Sequence, residues 1–560
     1  MFLSTIEKVR PRSAVTALTP SSSLRKDALE QAIFRFDHPH AASHDELVHL
    51  LGGKGAGLAE MTNALGISVP PGFTISVPVC HQYLEHGWPV GLDDALATFT
   101  EDLGRQMGRR LGDPTDPLLV AVRSGAPVSM PGMLDTVLNL GLNDDTVAGL
   151  AAVSRDERFA WDSYRRFLTM YAVTVMGVDP AILTEPVADG DDLHRHVADL
   201  KGRIREAADR DVPVDPVEQL RGAVEAVFRS WNSPRAKTYR DREGIDPDLG
   251  TAVTVQAMVF GNRGEKSGTG VVFTRDPATG HKVLYGDYLP RAQGEDVVAG
   301  TSRTLHVADL AAIQPDIFSR LHDTLADLER HFRDMCDVEF TVEEGKLWLL
   351  QTRVGKRSAC AAVRIAVAMA TDPGIGLTPA EAVARVSSEV RDRARDEAVA
   401  HVADEHSGPK VVTKGLGASP GRATGRVVLT SEAAADADDE VILVRPETSP
   451  EDVAGMAASV GLLTTTGGLV SHAAVVARGW GIPAVVGAHD LRCSTTGVVT
   501  PEGRTITEGD IITIDGTSGC VWLGAVDPPS SALVRKAVET ELPELLVLQS
   551  WADALDVKGK

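Results

Sequence analysis

Between Gly461 and Gly487 the chain reads as an apolar strand, a glycine pair, a serine and a short apolar helix, an order that leaves the backbone few alternatives. Gly461-Leu-Leu463, running into threonines, has the profile of a buried strand end. Gly467-Gly468 supplies a tight turn that side-chain-bearing residues would resist. Ser471 suits an N-cap, residues 473–478 read as the helix it caps, and Gly479 is expected to close it. His472 then falls in the first helical turn, beside backbone N–H groups that lack an intrahelical partner. That position favours a neutral imidazole and can hold an anion. A phosphate-accepting histidine needs both. Caps and packed surface histidines occupy helix starts more often, so these local features leave both roles open.

With 560 residues the chain is expected to fold as three or four domains, each with its own core. Its formal charge of −22 argues against nucleic acid or an anionic membrane as partner, because both would repel it. A phosphate site must then be locally basic within an acidic surface. Cys80, Cys336, Cys360, Cys493 and Cys520 are scattered, with no spacing that suits zinc or a disulfide framework. A reducing cytoplasm fits that usage. No apolar run approaches the length of a membrane span, and residues 1–30 read as a disordered tail.

Along the chain, residues 32–36 read as a first strand, and Gly52-Gly-Lys54-Gly opens an apolar-periodic helix. Glycines there let the backbone approach a phosphate, with Lys54 beside it, although a plain turn into a helix would look the same. Arg123 ends a buried strand, placed to grip a phosphate bidentately or to form a structural ion pair. Residues 144–245 have helical periodicity, interrupted by a basic loop over 231–237. Ser267-Gly268-Thr269-Gly270 reads as a glycine-rich turn between strands, a candidate flap over phosphates, and residues 293–300 as a polar turn. Asp337 and Glu339 alternate with apolar residues and so share one face of a strand. A second strand brings Gln351 and Arg353 to a similar face. Opposed Glu and Gln side chains supply oxygen ligands for Mg²⁺, and an adjacent arginine can neutralise a terminal phosphate.

Two sets of motifs then point one way. Gly467-Gly-Leu-Val-Ser-His472-Ala-Ala-Val-Val-Ala-Arg478-Gly closely resembles the phosphohistidine signature of pyruvate phosphate dikinase, phosphoenolpyruvate synthase and enzyme I of the sugar phosphotransferase system. Gly52-Gly-Lys54-Gly, Val122-Arg-Ser-Gly125, Ser129-Met-Pro-Gly-Met133, Ser267-Gly-Thr-Gly270, Gln293-Gly-Glu-Asp296 and Leu350-Gln-Thr-Arg353 follow the order of the dikinase nucleotide domain. The resemblance implies an α/β and α+β multidomain chain: an ATP-grasp nucleotide-binding domain over 31–355, with a helical insertion at about 144–245, then a helical linker over 356–408. A swivelling phosphohistidine α/β domain over 409–527 and a linker with a short amphipathic helix over 528–560 complete it. It implies that Lys54, Arg123 and Arg353 contact ATP phosphates, with Gly268, Thr269 and Gly270 closing over the nucleotide. Glu339 and Gln351 would bind Mg²⁺, supported by Asp337. His472 would attack the β-phosphorus and release AMP, with Arg445 and Thr448 nearby.

The dikinases carry a further barrel for pyruvate and phosphoenolpyruvate, which takes roughly 250 residues. Residues 528–560 are too few to form one, so the acceptor site, for pyruvate or another molecule, is expected either on a barrel-bearing partner chain or to be absent. Val470 stands where the resembling dikinases carry a threonine that is a regulatory phosphorylation site in some members, and Thr466 replaces an expected arginine. Gly481 to Gly487 looks more like the synthase branch, which leaves inorganic phosphate and water both open as acceptors of the γ-phosphate. Two other readings stay open. A small-molecule kinase like the rifampicin phosphotransferases needs an acceptor domain that residues 356–408 look too short to form. An ATP-binding regulatory protein would show no AMP release.

Overall fold

The computed structural model describes residue 29 and residues 31–130, 132–183, 192–299, 304–403, 411–494, 497–501, 503–525 and 531–558. Of the expected tail only Leu29 is among these, and it is fully buried in the first core; the remainder of residues 1–30 lies outside them.

Among the described residues, two five-stranded antiparallel sheets build the first half. One runs Ile33–Arg35, Gly72–Ile75, Ala252–Ala257, Val120–Gly125, Thr136–Leu140 in spatial order. The other runs Leu305–His306, Tyr285–Pro290, Gly268–Phe273, Cys336–Glu343, Lys346–Val354. Helices between Asp144 and Glu243 pack on the outer face of the first sheet through Phe159, Phe167, Tyr171, Val224 and Phe228, all buried. The sequence-derived hairpin is present in register, with Asp337 opposite Arg353 and Glu339 opposite Gln351.

Four local expectations are corrected. Gly268, Thr269 and Gly270 do not form a flap turn; they lie inside the strand Gly268–Phe273, and the turn falls on residues 261–266. The glycines serve close packing, since a Cβ at Gly268 would lie 2.1 Å from the Tyr288 hydroxyl and one at Gly270 2.6 Å from the Asp287 carbonyl. Residues 294–299 of the expected polar turn form a helix, whose first turn is tied by the Gln293 N–H donating to Asp296 at 2.9 Å. Most of the basic loop is the helix Pro234–Glu243, started by Ser233 as cap and Pro234 at the first helical position. The carboxyl end holds two helices, Ser531–Glu541 and Glu544–Lys558, rather than one. Val538, Leu542, Leu545 and Leu548 bury against Cys360, Val363 and Val367 of the helix Ala359–Thr371.

The second half centres on an eight-stranded sheet in which Arg422–Val428, Val441–Arg445, Gly461–Thr464 and Ala484–Val486 run parallel. The helix His472–Trp480 crosses this sheet, burying Ala473, Ala474, Val476 and Ala477. It continues through Gly479 and ends at Gly481, whose φ of +65° suits a left-handed cap. Gly479 is small for another reason: a Cβ there would lie 2.6 Å from the Lys356 ammonium. Among the described residues no helix is long and apolar enough to cross a membrane.

Candidate active site

The two antiparallel sheets enclose a cleft with two unlike lobes. Its inner lobe, about 260 Å³, is lined by Leu138, Met170, Met258, Val259, Val271 and Val297. The outer lobe, about 550 Å³, is lined by Lys54, Arg123, Arg353, Ser129, Met130 and Gly132. Arg123, Thr136 and Glu339 line both, so the lobes are continuous. An apolar slot opening into a cationic chamber matches a base joined to a polyphosphate.

Lys54 reaches the outer lobe because the helix His44–Asn63 breaks at Gly52, where φ is +68°. Only glycine fits, since a Cβ would sit 1.7 Å from the Gly125 carbonyl oxygen. Burial pushes the Lys54 ammonium well below its usual range, the Arg123 charge adds to this, and Glu339 opposes it. Lys54 makes no ion pair among the described residues. Arg123 donates to Glu339 at 2.5 Å, and Arg353 donates to Asp337 at 2.7 Å. Burial works to raise the Glu339 carboxyl, but Arg123, Arg353 and Lys54 outweigh it and hold it down at about 2. Two guanidiniums tied by carboxylates, with Lys54 unpaired beside them, leave the lobe open to an anion.

The same carboxylates bear on a metal. Glu339 and Gln351 are cross-strand partners, and Asp337 Oδ1 is buried without a hydrogen-bond partner. Such oxygen donors suit Mg²⁺. Among the described residues no three His, Cys, Asp or Glu side chains gather closely enough to hold a metal alone, so Gln351 and phosphate oxygens would complete the set.

His472 stands at the mouth of this chamber. A Cβ on Gly132 (φ +72°) would lie 3.2 Å from His472 Cδ2 and 3.5 Å from Nε2. Thr448 shares a hydrogen bond with Nδ1 at 3.1 Å, while Nε2 is buried without a partner. Burial lowers the His472 pKa to about 4, against the opposing pull of Asp452 and Glu451, so the ring is neutral at physiological pH. Arg445 makes no hydrogen bond to the ring; it faces Asp452 at 3.6 Å and donates to the Leu429 carbonyl. Ser471 precedes the helix, but its hydroxyl makes no cap hydrogen bond.

Residues 48–102, 86–307 and 303–372 match the family described as pyruvate phosphate dikinase, AMP/ATP-binding domain. The chain belongs to the pyruvate phosphate dikinase family. Residues 437–519 match the mobile domain of PEP-utilising enzymes. The chain is 47% identical over 554 residues to a pyruvate, phosphate dikinase of Rhizobium meliloti, covering 93% of this chain and 60% of that protein. It is 44% identical over 570 residues to the chloroplastic pyruvate, phosphate dikinase 1 of Arabidopsis thaliana, covering 98% of this chain and 57% of that one. The chain thus spans well under two thirds of these dikinases.

Lys54, Arg123, Glu339, Gln351 and Arg353 line one lobe, and Thr269 and Gly270 line the other. Asp337 joins through its ion pair with Arg353, while Gly268 lines neither lobe. Sequence reasoning missed the apolar lobe, whose side chains come from elements far apart in the chain. It also missed the approach of Gly132 to His472. The Pro-Gly pair at 131–132 signals a turn in the sequence, but nothing in its neighbours names the partner.

Proposed function

We propose that this chain is an ATP-dependent phosphotransferase that phosphorylates its own His472 and releases AMP. The observation that supports this best is the unpartnered Nε2 of a neutral His472 held against Gly132, a residue of the cationic chamber itself. With Nδ1–H donating to the Thr448 hydroxyl, the lone pair of the neutral ring lies on Nε2. Lys54, Arg123 and Arg353 bind the triphosphate and balance the charge that develops on it. Glu339, Gln351 and Asp337 would hold Mg²⁺, which when bound offsets phosphate charge. A bond forms between Nε2 and the β-phosphorus as the bond to the α-phosphate oxygen breaks, and AMP leaves with that electron pair. Inorganic phosphate or water then takes the terminal phosphate. The remaining phosphoryl group passes to pyruvate or another acceptor; the dikinase names of the relatives support pyruvate. Localisation in the cytoplasm accords with five thiols and no disulfide among the described residues.

Intact mass after incubation with Mg·ATP tests this, beside His472→Ala. An acid-labile gain of phosphate, absent in the variant and matched by AMP release, is expected. Bound ATP with no gain in mass would leave only a nucleotide-binding protein.

A further inference from the structure

Two buried amides meet at the inner lobe of the cleft. Asn139 lies in the strand Thr136–Leu140 with φ +56°, a conformation that residues with side chains rarely adopt. It falls where the pairing with Val120–Gly125 slips, Val120 facing Leu140 and Val122 facing Val137. Such bulges re-aim a side chain and recur beside active sites. Here the Asn139 amide donates through Nδ2 to Gln293 Oε1 at 3.3 Å. Gln293 is 3% exposed and Asn139 1%. Gln293 lines the inner lobe beside Gly294 and Glu295, and its Nε2 is buried with no partner. A buried donor without an acceptor is costly; the apolar side chains Leu138, Met170, Val271 and Val297 of the lobe offer it none, and the neighbouring Glu295 is paired with Arg166.

We propose that Gln293 reads the nucleobase, its Nε2 donating to a ring nitrogen of adenine, and that Asn139 is the positioning residue that keeps this donor turned inward. With Oε1 held by Asn139, Nε2 is the end of the Gln293 amide left for the ligand. Adenine presents acceptor nitrogens on its edges, and a donor fixed in an apolar slot selects for them. The inference rests on the nucleotide reading above and names the contact that recognises the base.

The test is calorimetric titration of the full-length chain with ATP and, separately, with inorganic tripolyphosphate, which has the phosphates but no base. Gln293→Met is expected to weaken ATP about tenfold and leave tripolyphosphate unchanged. Gln293→Glu, which turns an acceptor to the base, is expected to cost more. Asn139→Gly keeps the left-handed backbone but frees Gln293, and is expected to weaken ATP several-fold. Unchanged ATP affinity in Gln293→Met would overturn the proposal, as would equal weakening of both ligands. Full ATP affinity in Asn139→Gly would remove the positioning role. A parent chain that binds tripolyphosphate as tightly as ATP would show that no base is read. One that binds neither would overturn the nucleotide reading itself.

Discussion

Residue 132 has to be glycine for His472 to come as near as it does. The backbone is left-handed there, and a Cβ would press on the imidazole edge at 3.2 Å. Gly132→Ala is therefore expected to slow His472 phosphorylation on the order of tenfold to a hundredfold, by displacing the nucleophile, while ATP binding stays within about twofold. Equal rates in single-turnover mass measurements would show that the close approach is not the reactive one. The same burial makes the approach pH-dependent. In the docked position the His472 pKa lies at about 4, whereas an imidazole in water titrates near ~6.5. Docking therefore expels a proton between those values and is favoured only once the ring is neutral. Phosphorylation is expected to hold steady above about pH 6.5 and to fall by up to about tenfold per pH unit below it. A flat rate down to pH 5 would mean that the ring is not desolvated before it reacts.

At the scale of elements, the hairpin Cys336–Glu343 and Lys346–Val354 was the most legible part of the chain. Period-two alternation places Asp337 and Glu339 on one face, and the observed register opposes them to Arg353 and Gln351. Glu339→Gln removes one negative charge from a phosphate site and one oxygen donor from a metal site, so its two effects should separate. Binding of metal-free ATP is expected to hold or tighten, while the Mg²⁺ needed for half-maximal phosphorylation rises about tenfold. An unchanged Mg²⁺ requirement would remove Glu339 from the metal set. Across the chamber, the helix broken at Gly52 carries a second consequence. Burial holds the Lys54 pKa down, and an incoming polyphosphate raises it, so ATP binding shifts the lysine toward its charged form. Calorimetric enthalpies in buffers of different ionisation heat are expected to diverge, and Lys54→Met to remove that divergence; identical enthalpies in all buffers would refute the linkage. Periodicity and capping thus exposed strands and helices whose pattern is local. They failed where glycine packing imitates a turn, at Gly268–Gly270, and where a helix is tied by a side chain such as Asp296. The inner lobe was invisible because Leu138, Met170, Met258 and Val297 meet only through tertiary folding.

At the scale of the molecule, the two halves meet through contacts that no single stretch of sequence announces. The helix Pro234–Glu243 receives the mobile half: Arg235 pairs with Glu451 at 3.4 Å, and Arg242 donates to the Ala457 carbonyl. Trp480, at the far end of the His472 helix, lies between the Tyr239 ring at 5.7 Å and the Arg242 guanidinium at 4.3 Å. Val470 packs with Val271, Phe273 and Leu289 of the nucleotide half and so fills an apolar seat. Both ends of the segment 470–480 are thereby gripped, which fixes the helix that carries His472. Trp480→Ala is expected to weaken docking by about 1–2 kcal/mol from lost ring and cation contacts, slowing phosphorylation roughly tenfold without changing ATP affinity. Because Trp480 also packs within its own half, Arg242→Ala serves as the partner variant: it leaves that half intact and removes the same grip. A matching loss in both, with little further loss in the double variant, would identify one shared contact. Parent-like phosphorylation in Arg242→Ala would mean that the halves meet productively by another route.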